Sequence, residues 1–244
     1  MKVDISQANK YFKDLIDDPS QIVFLDANFF IPPDRSGYVG INCYRWRFDK
    51  FREIWLEPLF SEFIGMSIHE SVYSEIVGEN EKEFVDECKN SDPIRLRIYH
   101  DSELNEIEIA QMNTYIYKLA VHSQYDPDKN NAKDRGEVLS LSYMAVKKYL
   151  YFAANDKLPI RLIKSADKMN TGLDDMGVIQ MYELIYYLNR IGKYDNKALK
   201  GLYKYQYYLT DREKKQNPNW EMFLQKMNEL YGEILENANI VDVQ

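Results

Sequence analysis

The sequence predicts an α/β fold in which a short parallel sheet is flanked by helices. Three observations carry that expectation. Short apolar runs of strand length alternate with longer stretches of helical periodicity, the pattern of βαβ units. Residues 21–25 and 149–154 are nearly apolar throughout, as strands buried on both faces must be. Both runs end in a carboxylate, Asp26 in one case and Asn155-Asp156 in the other. The carboxyl edge of a parallel sheet is where such folds bind their ligands.

The elements follow in order. Residues 5–17 read as an amphipathic helix with Phe12, Leu15 and Ile16 on one face, stopped by Pro19. Residues 21–25 are the first strand, and 32–40 are a loop rich in turn residues. A helix over 44–63 is expected to bend near Pro58, and 63–67 read as a second strand. Residues 69–77 and 79–89 read as helices broken near Gly78. In 94–99 apolar positions alternate with Arg95 and Arg97, as in an edge strand. A helix over 102–121 precedes a polar loop at 123–133. Asp134 opens a helix to Lys148, residues 149–154 form a strand, and 157–169 form a helix. A further helix starts at Asp174 and covers 174–190, and 195–244 read as two more. The organisation expected is an N-terminal helical segment over 1–20, an α/β domain over 21–192 and a helical extension over 193–244.

Composition narrows the classes. The 244 residues are 45% apolar and 29% charged, which suits one globular domain or a domain with an extension. Tyrosine is unusual, at 20 copies against 11 phenylalanines, and each buried ring brings a hydroxyl that needs a partner. A net charge of −8 argues against a phosphate-binding protein unless the acids are concentrated at a metal site and basic patches stand apart. Cys43 and Cys88 match no metal or redox spacing and read as reduced thiols. The polar N-terminus lacks the apolar core of a signal peptide, and no run approaches a membrane span, so a cytoplasmic location is expected. There is no phosphate-binding glycine loop, dinucleotide fingerprint or nucleophile elbow. His69, His100 and His122 have no zinc-protease spacing and read as surface or packing residues.

The acids offer more. A carboxylate at the end of a buried strand is costly unless hydrated, paired or bound to metal. Aspartate is also a common turn former there. In 68–77, Glu75 sits beside the apolar stripe of Val72 and Ile76, with Glu70 as its competitor one turn earlier. Residues 134–137 read Asp-Arg-Gly-Glu, and as helix chemistry alone this is a capping box of Asp134 and Glu137. Gly136 is harder to explain that way, because glycine weakens a helix and admits close approach by another group.

The order strand–Asp, helix–Glu, Asp-Arg-Gly-Glu, strand–Asn-Asp resembles the PIN-domain nucleases, in the branch with a D-R-G-E third motif. The matching stretches are FLDANFF (24–30), SVYSEIV (71–77), KDRGEVLSLSYMA (133–145) and YFAANDK (151–157). The resemblance implies a three-layer α/β/α sandwich and phosphodiester hydrolysis, mostly of RNA, with Mg²⁺ or Mn²⁺. It implies Asp26, Glu75, Glu137 and Asp156 as catalytic metal ligands, with Asp134 a fifth acid or only the helix cap. Asn28, Asn155, Arg45, Arg47 and Arg135 are the candidates for touching nucleic acid. Nucleic acid, an antitoxin or other regulatory protein, and a second copy of the chain are the partners expected.

Several features depart from the family. The loop after Asp26 and the helices over 79–121 are long. The segment after Asp156 lacks the short return to a last strand, and 195–244 fall outside the pattern. Other readings stay open: a nuclease for structured DNA or RNA in repair, processing or defence; a non-catalytic binding module; or a helical interaction protein whose acids are turn residues. Two segments mix cations and aromatics as single-strand binders do. One is Tyr44 to Arg52. The other, 193–215, reads more readily as an ordinary helix with inward tyrosines and solvated lysines.

Overall fold

The computed structural model describes the backbone of residues 2–37 and 45–241, with side chains through Glu236. Cys43, Tyr44 and the end of the 32–40 loop lie outside the described residues.

Helix α1 (Lys10–Asp17) starts at Lys10 rather than at residue 5, because the Asn9 side chain accepts the Tyr11 N–H and caps it there. Its buried residues are the expected Phe12, Leu15 and Ile16. Strand β1 (Val23–Leu25) leads into a 3₁₀ turn, Ala27–Phe29. Helices α2 (Phe48–Phe51) and α3 (Glu57–Glu62) are joined by a π-helical turn, Arg52–Leu56. A bend is expected near Pro58; the irregularity observed is this wide turn just before it, where proline brings no N–H to the carbonyl four residues back.

Strand β2 (Met66–His69) begins later than the expected 63–67. Gly65, just before it, lies against β1's approach: a Cβ there would fall 2.0 Å from the Gln21 carbonyl oxygen. Helices α4 (Glu70–Glu75) and α5 (Glu79–Lys89) are separated at Gly78 as expected. Strand β3 (Arg97–Tyr99) is followed by α6 (Glu106–Ala120), which opens on a capping box of Asn105 and Glu108. Then come α7 (Arg135–Lys147), β4 (Tyr151–Ala153), α8 (Lys157–Lys164) and α9 (Ala166–Met169). The single helix expected over 157–169 is thus divided at Ser165.

The expected helix over 174–190 is corrected. Its first part is strand β5 (Gly177–Ile179), and only α10 (Met181–Arg190) is helical. A three-residue apolar run cannot be told from a buried helical turn by periodicity. The tail holds three helices rather than two: α11 (Asn196–Tyr207), α12 (Asp211–Gln216) and α13 (Trp220–Val241). The extra break follows from Thr210, which starts α12 with a capping box to Glu213.

The fold is α/β, with a five-stranded parallel sheet in the order β3-β2-β1-β4-β5. β3 is an edge strand, as its alternation suggested. The chain divides into two compact units.

One unit, residues 20–31 and 64–178, carries the sheet. Phe24 and Phe152 lie side by side in register and pack with Leu119, Val138, Leu141, Tyr143 and Leu162 from α6, α7 and α8. All these side chains are fully buried, which sets the sheet rigidly beneath its carboxyl edge.

The other unit, residues 1–19, 32–63 and 179–244, is built from helices. It accounts for much of the tyrosine content. Tyr203 stacks on Phe223 at 4.4 Å and donates its hydroxyl to the Pro218 carbonyl, and Tyr186 donates to Asn228. In the segment 193–215 the rings of Tyr203, Tyr205 and Tyr207 are buried while Lys200 pairs with Glu221. That is the ordinary packed helix rather than a stacking surface. Among the described residues no helix is long and apolar enough to cross a membrane.

Candidate functional site

The strand order reverses its sense of progression at β1, whose neighbours are β2 and β4. A crevice opens at such a switch point outside the carboxyl ends of the strands. Asp26 immediately follows β1, and Asp156 follows β4 by way of Asn155. The two strands run in register, and the Asp26 N–H donates to the Ala153 carbonyl at 3.0 Å. This pairing fixes the two aspartates at one edge.

Asn28, on the turn after β1, joins them. Its amide nitrogen donates to Asp26 Oδ2 at 3.2 Å and to Asp156 Oδ2 at 2.8 Å. Glu75 comes from the last turn of α4, and its Oε1 accepts the Gly136 N–H at 2.8 Å. This explains Gly136: a Cβ there would lie 2.5 Å from the Glu75 carboxylate. Glu137 follows on the first turn of α7. All four acids line one cleft of about 480 Å³, together with Asn28, Asp134, Arg135 and Lys133.

The expected capping box at 134–137 is absent. Asp134 precedes α7 in the left-handed conformation at φ +56°, and its side chain makes no cap bond. Asp134 Oδ2 accepts instead from the Gln124 N–H at 2.8 Å, and Oδ1 lies 3.3 Å from Lys133 Nζ. The polar loop before it is braced by its own amides, with Asn131 donating to the Gln124 carbonyl and accepting from the Asp126 N–H. Asp134 therefore tethers the loop that presents Arg135 and Gly136, and it also lines the cleft.

The electrostatics are those of a crowded acid cluster. Burial, then Glu137 and Asp156, push the Asp26 carboxyl well above its usual range, against the Asn28 hydrogen bond. Burial also raises Glu75, partly offset by the Gly136 N–H and by the nearby Arg135 and Lys133 charges. Glu137 is pushed up to about 7, first by burial and then by Glu75, Asp134 and Asp156. Removing a carboxylate from water without a counter-charge favours its neutral form. Nearby, the Arg135 Nε is buried and has no hydrogen-bond partner among the described residues.

The remaining candidates are distributed differently. Asn155 is buried and does not line the cleft. Arg45 and Arg47 belong to the helical unit, where they face Asp34 at 3.7 Å and Asp49 at 2.8 Å. Sequence reasoning missed Ser71 and Ser74, which line the cleft from α4; Ser71 stands one helical turn before Glu75, and that spacing could have found it. It also missed Ile31 and Val77, which form an apolar part of the wall and had no sequence signal.

Glu70 does not join this cleft. Its Oε2 meets His100 Nδ1 at 2.7 Å, and its Oε1 accepts the Asp101 N–H at 3.0 Å. His69, Glu70 and Asp101 bring ligand atoms within 4.8 Å of one another, a group that could hold a metal ion. His69 is fully buried between Ser71 and Asp101, a packing position as expected from the sequence, and it belongs to this group as well.

Comparison with protein-family models, curated proteins and solved structures gives no match.

Proposed function

We propose that the chain is a metal-dependent endonuclease of PIN-like α/β/α architecture that hydrolyses phosphodiester bonds in RNA. The observation that carries this reading is the convergence of Asp26, Glu75, Glu137 and Asp156, from four separate elements, on one cleft at the switch point of the sheet. Structural acids are normally paired with cations or scattered in solvent; here burial, and after it the neighbouring carboxylates, raise the proton affinity of Asp26 and Glu137.

The donor set fits Mg²⁺ or Mn²⁺. Among the described residues the cleft is lined by carboxylates, amide and hydroxyl oxygens, with neither thiol nor imidazole. Asp26, Glu75, Glu137 and Asp156 would hold the ion. Such an ion supplies charge neutralisation on the phosphate and a more acidic water. The chain's own groups do the rest. Asn28 holds Asp26 and Asp156 at a fixed separation, and the Gly136 N–H fixes Glu75. Arg135 offers a buried donor with no acceptor, and a phosphate oxygen would satisfy it. Lys133 stands beside it on the cleft wall.

The test is cleavage of single-stranded RNA, transfer RNA, single-stranded DNA and duplex DNA, with Mn²⁺, Mg²⁺ or EDTA. Wild type is compared with Asp26→Asn. The expected result is metal-dependent cutting of RNA that falls more than ~10²-fold in the variant, the scale of losing a charge-stabilising group. Equal activity of the variant overturns the site. Cutting of DNA alone overturns the substrate class.

A further inference from the structure

The same sheet edge carries a second arrangement of chemically active groups. Strand β2 ends at His69, followed by Glu70, and strand β3 is followed by His100 and Asp101. The two strands are parallel neighbours, paired His69 to Tyr99, so a His-acid dipeptide emerges from each, one residue out of step. His69 Nε2 lies 3.0 Å from Asp101 Oδ1, and Glu70 Oε2 lies 2.7 Å from His100 Nδ1. The His69 ring is fully buried, whereas the Asp101 and His100 side chains are about half exposed, at 46% and 47%. The group thus has a fixed floor and an open mouth.

We propose that His69, Glu70, His100 and Asp101 form a second cation site, selective for a d-block divalent ion of Zn²⁺ type. Two imidazoles and two carboxylates match a tetrahedral zinc set, while Mg²⁺ avoids nitrogen. The ligand atoms of His69, Glu70 and Asp101 lie within 4.8 Å of one another and need to draw together to share one ion, and His100, 2.7 Å from Glu70, would turn in to complete the set.

The far side of His69 is already furnished. Its Nδ1 lies 2.8 Å from Ser71 Oγ, and Ser71 Oγ lies 3.3 Å from the Gly136 carbonyl. Nδ1 also accepts the Ser71 N–H at 3.3 Å as the cap of α4. With Nε2 given to a metal, a protonated Nδ1 would exchange that bond for donation to Ser71 Oγ, and Ser71 would donate to Gly136. Such partners fix the ring and the tautomer of a ligating histidine. Gly136 is also the residue whose N–H orients Glu75, so an ion at this site braces one wall of the acid cleft. The inference stands on these residues alone and is independent of the nuclease reading.

The chain has three histidines, and the third, His122, is remote in role, with Nε2 on the Met169 carbonyl. Its ring is therefore an internal control. The experiment is ¹⁵N NMR of histidine-labelled full-length protein titrated with Zn²⁺ in excess Mg²⁺. The His69 and His100 ring nitrogens should shift at one equivalent of Zn²⁺ and not with Mg²⁺ alone, with His122 unmoved. His100→Gln and Asp101→Asn, at half-exposed positions, should keep the fold and weaken Zn²⁺ binding at least ~10-fold. Unmoved His69 and His100 signals, an equal shift at His122, or unaltered affinity in both variants overturns the proposal. Loss of cleavage plays no part in the readout.

Discussion

Gly136 is a glycine because a carboxylate occupies the space its side chain would need. Helix propensity alone would favour alanine there by about 1 kcal/mol. The 2.5 Å approach to Glu75 reverses the choice, since overpacking typically costs about 1–3 kcal/mol and the carboxylate must move. Gly136→Ala should therefore leave the melting temperature within a few degrees of wild type while cutting metal-dependent activity ~10- to 100-fold, the scale of losing a group that orients a ligand. Parallel melting and cleavage assays check it, and full activity would mean Glu75 is not held in its working position. At this scale the sequence was legible in identity and illegible in partnership. Glu75, Glu137 and the misfit of Gly136 could be named in advance. That one explains the other required knowing that α4 and α7 meet. Asp134 shows the converse, because its local pattern spelled a capping box and its backbone conformation forbids one.

Elements were legible where their signal is long or terminal. β1 and β4 announced themselves as apolar runs ending in acids, and β3 as an alternating edge. β5 did not, because Gly177-Val178-Ile179 runs straight into the helical periodicity of α10. The close passage ahead of β2 was equally hidden, since nothing local says that Gly65 must pass within contact of Ser20 and Gln21. There the Val23 N–H donates to the Gly65 carbonyl at 3.1 Å, so the glycine is part of the entry to the central strand pair. A methyl group 2.0 Å from a backbone oxygen cannot be absorbed by a side-chain rotation. Gly65→Ala should destabilise by at least ~2 kcal/mol, read by urea denaturation. A variant as stable as wild type would show that β1 and β2 can separate without cost.

For the molecule as a whole, the net charge of −8 and the raised acids tie stability to pH and to cations. Glu137 titrates near 4.5 when free and at about 7 in the fold. Folding thus favours its protonated form: that stability is fully present below the free value and is lost as pH rises through 7. Asp26 acts in the same direction. Metal-free protein should melt at lower temperature at pH 8 than at pH 5. Because the proposed ligands must be deprotonated to bind, affinity for Mn²⁺ should rise over the same interval. At pH 8, Mn²⁺ at a hundred times its dissociation constant adds ~2.7 kcal/mol, or roughly 5–10 °C in a chain of this size. Calorimetry at the two pH values checks both signs. A melting temperature that climbs from pH 5 to 8 without metal would mean the acids are not held against their charge.

Asn28 gives the cluster a vulnerability of a chemical kind. Both hydrogens of its amide are committed, one to each aspartate, so a dipole stands between two anions as a neutral wedge. Asparagine side chains hydrolyse with age. Here the product would be a further acid facing Asp26 and Asp156, a spacer turned into a repeller without a change in shape. Slow loss of ammonia from this one side chain would then alter the charge balance of the cleft while every one of its acids stayed intact.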